Sequence, residues 1–182
     1  MELFGISGSI RRESYNAKLL HAAAGLLPKE VTIRFIDCGD LPLYNNDLDK
    51  DIKPEAVTQL LRSIGESDGL LIATPEYNYS IPGVLKNAID WASRPGYKSV
   101  LAGKPTGIVS ASKSLVGGAR VQLHLRDVFS STLTPVVPSP PFLVPQAQDK
   151  FNEAGELIDE GTIQRLDRYM KDLVAWVDRL TC

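Results

Sequence analysis

The stretch GLLIAT, residues 69–74, decides the fold that the sequence predicts. It is apolar on both faces, as expected for a strand inside a parallel sheet that helices cover on both sides. The same pattern predicts inner strands at residues 3–7, LFGIS, and at residues 105–110, PTGIVS. Residues 31–37, VTIRFID, alternate apolar and polar side chains instead, which favours an edge strand.

Segments of helical periodicity separate these strands. Helices are predicted over residues 15–27, 54–64, 84–92, after Gly118, and over 166–180. Thr132–Val137 is predicted as the last strand, and Pro135–Glu156 as a long surface excursion because its prolines exclude helix and central strand. Five β-α units predict an α/β, three-layer, flavodoxin-like fold of one domain, residues 1–182, with a parallel sheet of order 2-1-3-4-5 and helices on both faces.

Composition excludes several functional classes. The formal charge of −2 gives no reason to expect a nucleic-acid partner. The sequence has no apolar run long enough for a membrane span and no signal-peptide pattern. Two cysteines far apart in sequence, Cys38 and Cys182, predict thiols in a reducing compartment rather than a disulfide framework. We therefore expect a cytoplasmic protein.

Polar chemistry concentrates where such a sheet binds its ligands. Ligands of open α/β sheets bind beyond the carboxyl ends of the strands, where the strand order reverses. The loops that follow strands 1, 3 and 4 at that point are residues 7–16, SGSIRRESYN, residues 75–83, PEYNYSIPG, and residues 110–118, SASKSLVGG. They are also the loops richest in Ser, Gly, Asn and Tyr, so topology and polarity predict the same site.

The first of these loops has the composition of a phosphate cradle. It combines three serines and two arginines with a helix N-terminus, whose N–H groups favour anions: Ser7, Ser9, Ser14, Arg11 and Arg12. The alternative is that Ser14 or Asn16 only caps the helix. Gly8 is expected to let the backbone approach a ligand.

The pattern narrows the phosphate ligand to a mononucleotide. No Gly-Lys-Ser/Thr of a P-loop occurs, and GISGS lacks the third glycine of the dinucleotide fingerprint. Asp37 could mimic the acidic ribose partner of that fingerprint, but the chain has no room for a dehydrogenase's substrate domain. A phosphatase of this fold would need a cysteine in the first loop, which has none.

The second and third loops then face the ring system of the mononucleotide. Backbone amides there can bond an isoalloxazine, and Tyr77 and Tyr79 offer flat apolar surface unless they pack against the core or a partner subunit. Gly117 and Gly118 are expected to leave space beside the ring, although Gly118 could merely admit a helix start. His124 is expected to be packed or at an interface. No cluster of His, Cys or Asp residues has metal-ligand spacing, so the residue types present suit chemistry that a cofactor carries out.

Three motifs resemble the NADPH-dependent FMN reductase family of flavodoxin-like proteins, with bacterial quinone and chromate reductases as the most similar branch. They are GISGSIRRESYN (5–16), TPEYNYSIPGVLKNAIDWASR (74–94) and GGARVQLHLR (117–126), and the similarity extends to PLYNNDL (42–48) and DKFNEAGELIDEGT (149–162). In IRRES (10–14) relatives often carry a Lys and a Gly; the added positive charge could touch a nicotinamide phosphate.

The resemblance implies site residues and an activity. Ser9, Arg11, Ser14, Tyr15 and Asn16 would surround the FMN phosphate and ribityl chain, and Pro75, Glu76, Tyr77 and Asn78 would line the edge of the ring, with Ser112 contributing from the third loop. It implies hydride transfer from NADPH or NADH to FMN, then transfer of two electrons to a quinone or similar small acceptor, with chromate, azo compounds and flavins possible. No side chain is assigned as catalytic. A flavodoxin-type electron carrier and a non-catalytic FMN-binding protein remain the alternatives.

The resemblance also implies a homodimer or homotetramer with flavin sites at subunit contacts. The segments IDWASR (89–94) and RVQLHLR (120–126) are the expected interface. Leu123 is predicted to point away from the Val121 face of its helix, where an apolar residue has no role within the chain.

Overall fold

A computed structural model describes residues 1–36 and 38–181. The predictions on Asp37 and Cys182 lie outside these residues. Five parallel strands form one sheet of order β2-β1-β3-β4-β5. The strands are β1 Glu2–Ser7, β2 Thr32–Ile36, β3 Gly69–Ala73, β4 Thr106–Ala111 and β5 Phe142–Val144; the helices are α1 Tyr15–Ala24, α2 Glu55–Glu66, α3 Gly83–Ala92, α4 Ala119–Ser131 and α5 Glu160–Thr181.

Two apolar layers enclose the sheet. On one side, α1 and α5 pack against it through residues such as Leu19 and Leu166, which join the buried Leu71 of β3. On the other side, α2, α3 and α4 cover it, and residues such as Leu60 and Leu125 meet the buried Ile72. The α/β flavodoxin-like fold with three layers is therefore confirmed. Among the described residues, no helix combines the length and apolarity needed to cross a membrane.

The last strand lies later in the chain than predicted. Residues around Val136 make one parallel bridge to Thr106, but the regular pairing with β4 is made by Phe142–Val144. Prolines 138, 140 and 141 interrupt the strand between these two contacts, because proline cannot donate a ladder hydrogen bond. The prediction of a surface excursion over 135–156 is wrong as well, since Phe142, Val144, Ala147 and Phe151 are buried.

A tyrosine from α5 fills the gap that this interruption leaves beside β4. The hydroxyl of Tyr169 accepts a hydrogen bond from Ile108 N at 2.8 Å and donates one to Ile108 O at 2.9 Å. Burial raises the pKa of Tyr169 to about 12, so the hydroxyl keeps its proton at physiological pH. The side chain thereby replaces the missing strand residue and satisfies the backbone of β4.

Candidate functional site

The loops after β1, β3 and β4 leave the sheet side by side. Ser7 pairs with Ala73 and Ala73 pairs with Val109, so all three strands end at the same edge. Gly8 N donates to Ala73 O at 2.8 Å, which holds the start of the first loop on β3. The structure thus brings together the loops that topology predicted.

The first loop, residues 8–14, presents hydrogen-bond donors at the N-terminus of α1. Ser9 N donates to Ser7 Oγ at 3.3 Å, and Arg11 N donates to Ser9 Oγ at 3.4 Å. The backbone N–H groups of Tyr15 and Asn16 have no acceptor within residues 1–36 and 38–181, as expected for the first turn of a helix. With the exposed side chains of Arg11 and Arg12, they form a site suited to an anion.

Ser14 is the N-cap of α1, as the alternative interpretation of the sequence held. Its buried Oγ accepts a hydrogen bond from Ala17 N at 3.3 Å. Capping uses the oxygen as an acceptor and leaves the hydroxyl proton available to donate. Capping and phosphate binding are therefore compatible at this residue.

Two other predicted side chains turn into the protein. The buried amide of Asn16 donates from Nδ2 to Ala111 O at 3.0 Å and accepts from Ala111 N at Oδ1 at 2.8 Å. The Tyr15 ring packs against Phe151, with 5.5 Å between ring centroids. The side-chain amide of Asn16 is thus used within the protein, and at the anion site Asn16 and Tyr15 both offer backbone N–H groups.

The acid in the first loop is paired. Glu13 accepts a hydrogen bond from Lys18 Nζ at 2.6 Å, and this bond together with the charge of Lys18 lowers the pKa of Glu13. The carboxylate is ionised at neutral pH, and Lys18 balances its charge next to the anion site.

Gly8 is needed for packing inside the protein. A Cβ at this position would lie 2.7 Å from Thr74 Oγ1 and 3.2 Å from Leu85 Cδ2, too close for any larger residue. The absence of a side chain is thus explained by Thr74 and Leu85, and the close approach of the Gly8 backbone to a ligand stays a prediction.

The second loop, residues 75–82, is a tight hairpin with a left-handed tip. Tyr77 N donates to Ser80 O at 3.1 Å, and Ser80 N donates to Tyr77 O at 2.9 Å. Asn78 and Tyr79 between them have φ values of 49° and 65°. Two central residues with positive φ define a type I′ turn, which tyrosine adopts only at a cost.

The side chain of Glu76 ties this loop to α4. Its Oε2 accepts hydrogen bonds from Arg120 N at 2.9 Å and Val121 N at 3.1 Å, while Gly118, the residue before α4, provides no side-chain cap. Glu76 is thus the N-terminal cap of a helix that begins more than forty positions away. Sequence reasoning missed this role, because no local pattern links the two segments.

Arg120 completes the link to the tip of the loop. Its guanidinium lies 4.1 Å from the centroid of the Tyr79 ring, and its Nη1 lies 3.6 Å from Glu76 Oε1. One residue further along the loop, Ser80 Oγ is hydrogen-bonded to His124 Nδ1 at 3.0 Å. His124 is exposed, which excludes packing inside the chain, while the expected alternative of a subunit interface stays a prediction.

The second and third loops enclose a cleft of about 780 Å³. It is lined by Glu76, Asn78, Tyr79, Ser112, Ser114, Val116 and Arg120. Tyr77 and Tyr79 are 46% and 66% exposed, which excludes the alternative that they pack against the core. The size and the mixed polar and aromatic lining suit a flat ring system.

Gly117 serves the third loop itself. Its φ is +66°, and a Cβ there would lie 3.0 Å from Pro145 N and 3.1 Å from Leu143 Cβ. The expectation that its missing side chain leaves space beside a flavin is wrong, because residues of this chain occupy that space. Ser110 Oγ donates to Gly117 O at 2.7 Å, and Ser112 Oγ, partly exposed at the cleft, donates to Ser114 Oγ at 3.1 Å.

The segment IDWASR, residues 89–94, exposes only part of its side chains, those of Asp90, Ser93 and Arg94, so its place in a subunit interface stays a prediction. Ile89, Trp91 and Ala92 are buried within the chain. Trp91 Nε1 donates to Pro42 O at 2.8 Å, so this part of α3 holds the loop that contains residues 42–48.

Comparison with known proteins identifies the family of this chain. The sequence model of one family, described as NADPH-dependent FMN reductase, matches residues 1–149. The chain belongs to this family.

Relatives of similar length extend the match over nearly the whole chain. A 2-hydroxy-1,4-benzoquinone reductase from Burkholderia sp. is 42% identical over 172 residues, which cover 94% of this chain and 93% of the relative. An NAD(P)H-dependent FMN reductase from Pseudomonas aeruginosa is 41% identical over 180 residues, 99% and 97% of the two chains. The solved structure of FerB, a flavoenzyme NAD(P)H:(acceptor) oxidoreductase from Paracoccus denitrificans, superposes with a TM-score of 0.89 at 34% identity over 98% and 97% of the two chains.

Proposed function

We propose that this protein is an FMN-dependent NAD(P)H oxidoreductase that reduces quinones or similar small acceptors. The observation that carries the proposal is the combination, at one edge of the sheet, of a donor-rich first loop with a polar and aromatic cleft of about 780 Å³. The first loop suits a phosphate, and the cleft suits a flat ring. A flavin mononucleotide has both parts.

The residues of the three loops fit this cofactor. Its phosphate would be held by Ser9, Arg11 and Ser14 and by the backbone N–H groups of Tyr15 and Asn16. Its ring would lie against Pro75, Glu76, Tyr77, Asn78, Ser112 and the backbone at Gly117. When bound, FMN supplies the redox chemistry between NAD(P)H and the acceptor.

The chain's own residues contribute position rather than acid–base chemistry. Apart from Val116, the side chains that line the cleft are two serine hydroxyls, an amide, a tyrosine and the Glu76–Arg120 pair, and both of Glu76's carboxylate oxygens are engaged. Holding two flat reactants in contact supplies a large share of the rate of such a transfer. We accordingly assign no catalytic side chain, and the whole chain would act as one FMN-binding domain.

A second copy of the chain is proposed to cover the rim of the cleft. Four exposed side chains are apolar or aromatic: Tyr79 and Val116, which line the cleft, and Leu115 and Leu123, which lie close in sequence to the lining residues Val116 and Arg120. Leu123 is 60% exposed on α4, where it has no role within the chain. Burial between subunits would explain all four, as a homodimer or within a homotetramer.

Size-exclusion chromatography with in-line light scattering tests this assembly. Wild-type protein should elute as a dimer or tetramer, and Leu123→Glu should shift it towards the monomer, whereas Ile52→Glu, at another exposed apolar position, should not. A monomeric wild type would overturn the proposed assembly.

The cytoplasm is the proposed location, because two cysteines distant in sequence suit a reducing compartment.

Anaerobic spectroscopy tests the activity itself. Reconstituted protein should show a flavin spectrum that NADPH or NADH bleaches within seconds and 1,4-benzoquinone restores. A bound flavin that stays oxidised in the presence of both nicotinamides would overturn the proposed function.

A further inference from the structure

We propose that Glu76 is a positioning residue for the flavin-facing turn, and that it acts through the first turn of α4. The inference rests on the proposed function only in taking FMN as the ligand of the cleft. The link between Glu76 and α4 is a property of the chain alone.

The contacts of Glu76 join the two walls of the cleft. Its backbone belongs to the second loop, and its carboxylate accepts from two N–H groups at the start of α4, those of Arg120 and Val121. Only 12% of the side chain is exposed. The positive end of α4 and the charge of Arg120 both stabilise a carboxylate at this position, so the Glu76 side chain has a well-defined place.

The turn that Glu76 supports is one that the chain would not adopt cheaply by itself. Asn78 and Tyr79 are both left-handed, and such residues persist where their surroundings hold them. Arg120 supplies that support, since its guanidinium lies against the Tyr79 ring while its backbone N–H is bonded to Glu76. Loss of the Glu76 carboxylate therefore releases the helix start and the turn together.

The predicted consequence is a loss of ligand affinity that exceeds the loss of fold stability. Glu76→Ala removes both hydrogen bonds and the ion pair, and we expect FMN to bind about tenfold or more weakly. Glu76→Gln keeps an oxygen that can accept from the same N–H groups and loses only the charge, so we expect a loss of about threefold.

Asp159→Ala provides the matched control. Asp159 likewise caps a helix, because its Oδ2 accepts from Thr162 N at 3.0 Å at the start of α5, but it lies outside the three loops. If Glu76 acted only on stability, each alanine variant would lose affinity for FMN in proportion to the fall in its melting temperature. We expect Asp159→Ala to keep the wild-type affinity for FMN.

Two measurements test the proposal. FMN dissociation constants come from quenching of flavin fluorescence by wild type, Glu76→Gln, Glu76→Ala and Asp159→Ala. Hydrogen exchange on the FMN-free proteins should show faster exchange of the Arg120 and Val121 amides in Glu76→Ala only.

The outcomes separate this inference from the proposed function. Wild-type affinity for FMN in Glu76→Ala, or an equal loss in Asp159→Ala, would overturn the positioning role while leaving the proposed function intact. Failure of the wild type to bind FMN would overturn the proposed function and with it the role of Glu76 towards FMN.

Discussion

The first and second loops of the site are built in opposite ways. The side-chain contacts within the first loop and at its cap span two to five positions, as from Ser9 to Arg11 or from Glu13 to Lys18. The contacts of the second loop with α4 span 44 or 45 positions, from Glu76 to Arg120 and Val121 and from Ser80 to His124. The first loop is shaped by its own sequence, whereas the second is shaped by a helix that follows much later in the chain.

This difference suggests that the two loops bind different parts of the ligand. A locally built loop with exposed arginines and unpaired N–H groups can bind a compact anion without help from other segments. A flat ring needs two walls at a fixed separation, and the long-range contacts of Glu76 fix that separation. The following changes test this contrast, in order of decreasing effect.

The largest effect is expected at Asn16, which lies next to the first loop but makes long-range contacts. Its amide makes both hydrogen bonds to Ala111, 95 positions away, in a buried site. Asn16→Ala leaves a buried backbone N–H and C=O without partners, so we expect a loss of ~3 kcal/mol of unfolding free energy in urea. Asn46→Ala, at an exposed position, is the control and should change the unfolding free energy little. A loss below ~1 kcal/mol in Asn16→Ala would contradict the proposed tie between α1 and β4.

Arg11→Ala tests the local chemistry of the first loop. A charge-assisted hydrogen bond to a phosphate contributes ~2 kcal/mol, so we expect FMN to bind about 30-fold more weakly while the melting temperature is unchanged. Arg168→Ala removes an exposed arginine of α5 and should leave the affinity as it is. Equal FMN affinity in Arg11→Ala and wild type, measured by fluorescence titration, would show that Arg11 does not bind the phosphate.

Asn78 tests whether the tip of the second loop is strained as its dihedral angles imply. Asparagine tolerates the left-handed region better than alanine, so Asn78→Ala should cost ~1 kcal/mol of unfolding free energy. Asn78→Gly should be neutral or slightly stabilising, because glycine adopts this conformation freely. If both variants unfold at the same urea concentration, the turn is not strained at this residue.

The smallest effect is expected at Asp159, a local cap that contrasts with the distant cap at Glu76. Hydrogen bonds from Lys150 and Thr162 lower the pKa of Asp159 to about 2 from 3.8. Because the pKa is lower in the folded state, this contribution is present above pH 4 and is lost as the pH falls through about 2. Melting temperatures between these pH values should fall less steeply in Asp159→Asn than in wild type. Parallel curves would show that the cap contributes no acid sensitivity.

The same contrast explains which parts of the structure could be predicted from the sequence. Apolar strands, helix periodicity and the polar loops are local patterns, and they predicted the strand order and the edge that carries the site. The N-cap at Ser14 was likewise visible as one of two interpretations. The Glu76 cap, the stacking of Arg120 on Tyr79 and the internal use of Asn16 depend on residues that only folding brings together.

The fifth strand shows how a local rule can mislead. The prolines at 138, 140 and 141 correctly argued against a continuous strand, but pairing resumes beyond them at Phe142. Tyr169 makes the interruption possible, because its hydroxyl satisfies the Ile108 backbone where strand pairing is missing. The Tyr169 hydroxyl lies 61 positions from Ile108, and the proline-rich segment itself gives no signal of this contact.

The proposed site assigns the phosphate of FMN to the first loop and its ring to the second and third loops. The most direct test compares the dissociation constants of FMN and riboflavin for the wild-type protein in the same fluorescence titration. Riboflavin has the same ring and lacks the phosphate, so we expect it to bind about 100-fold more weakly. Equal affinities for the two flavins would contradict the assignment of the first loop.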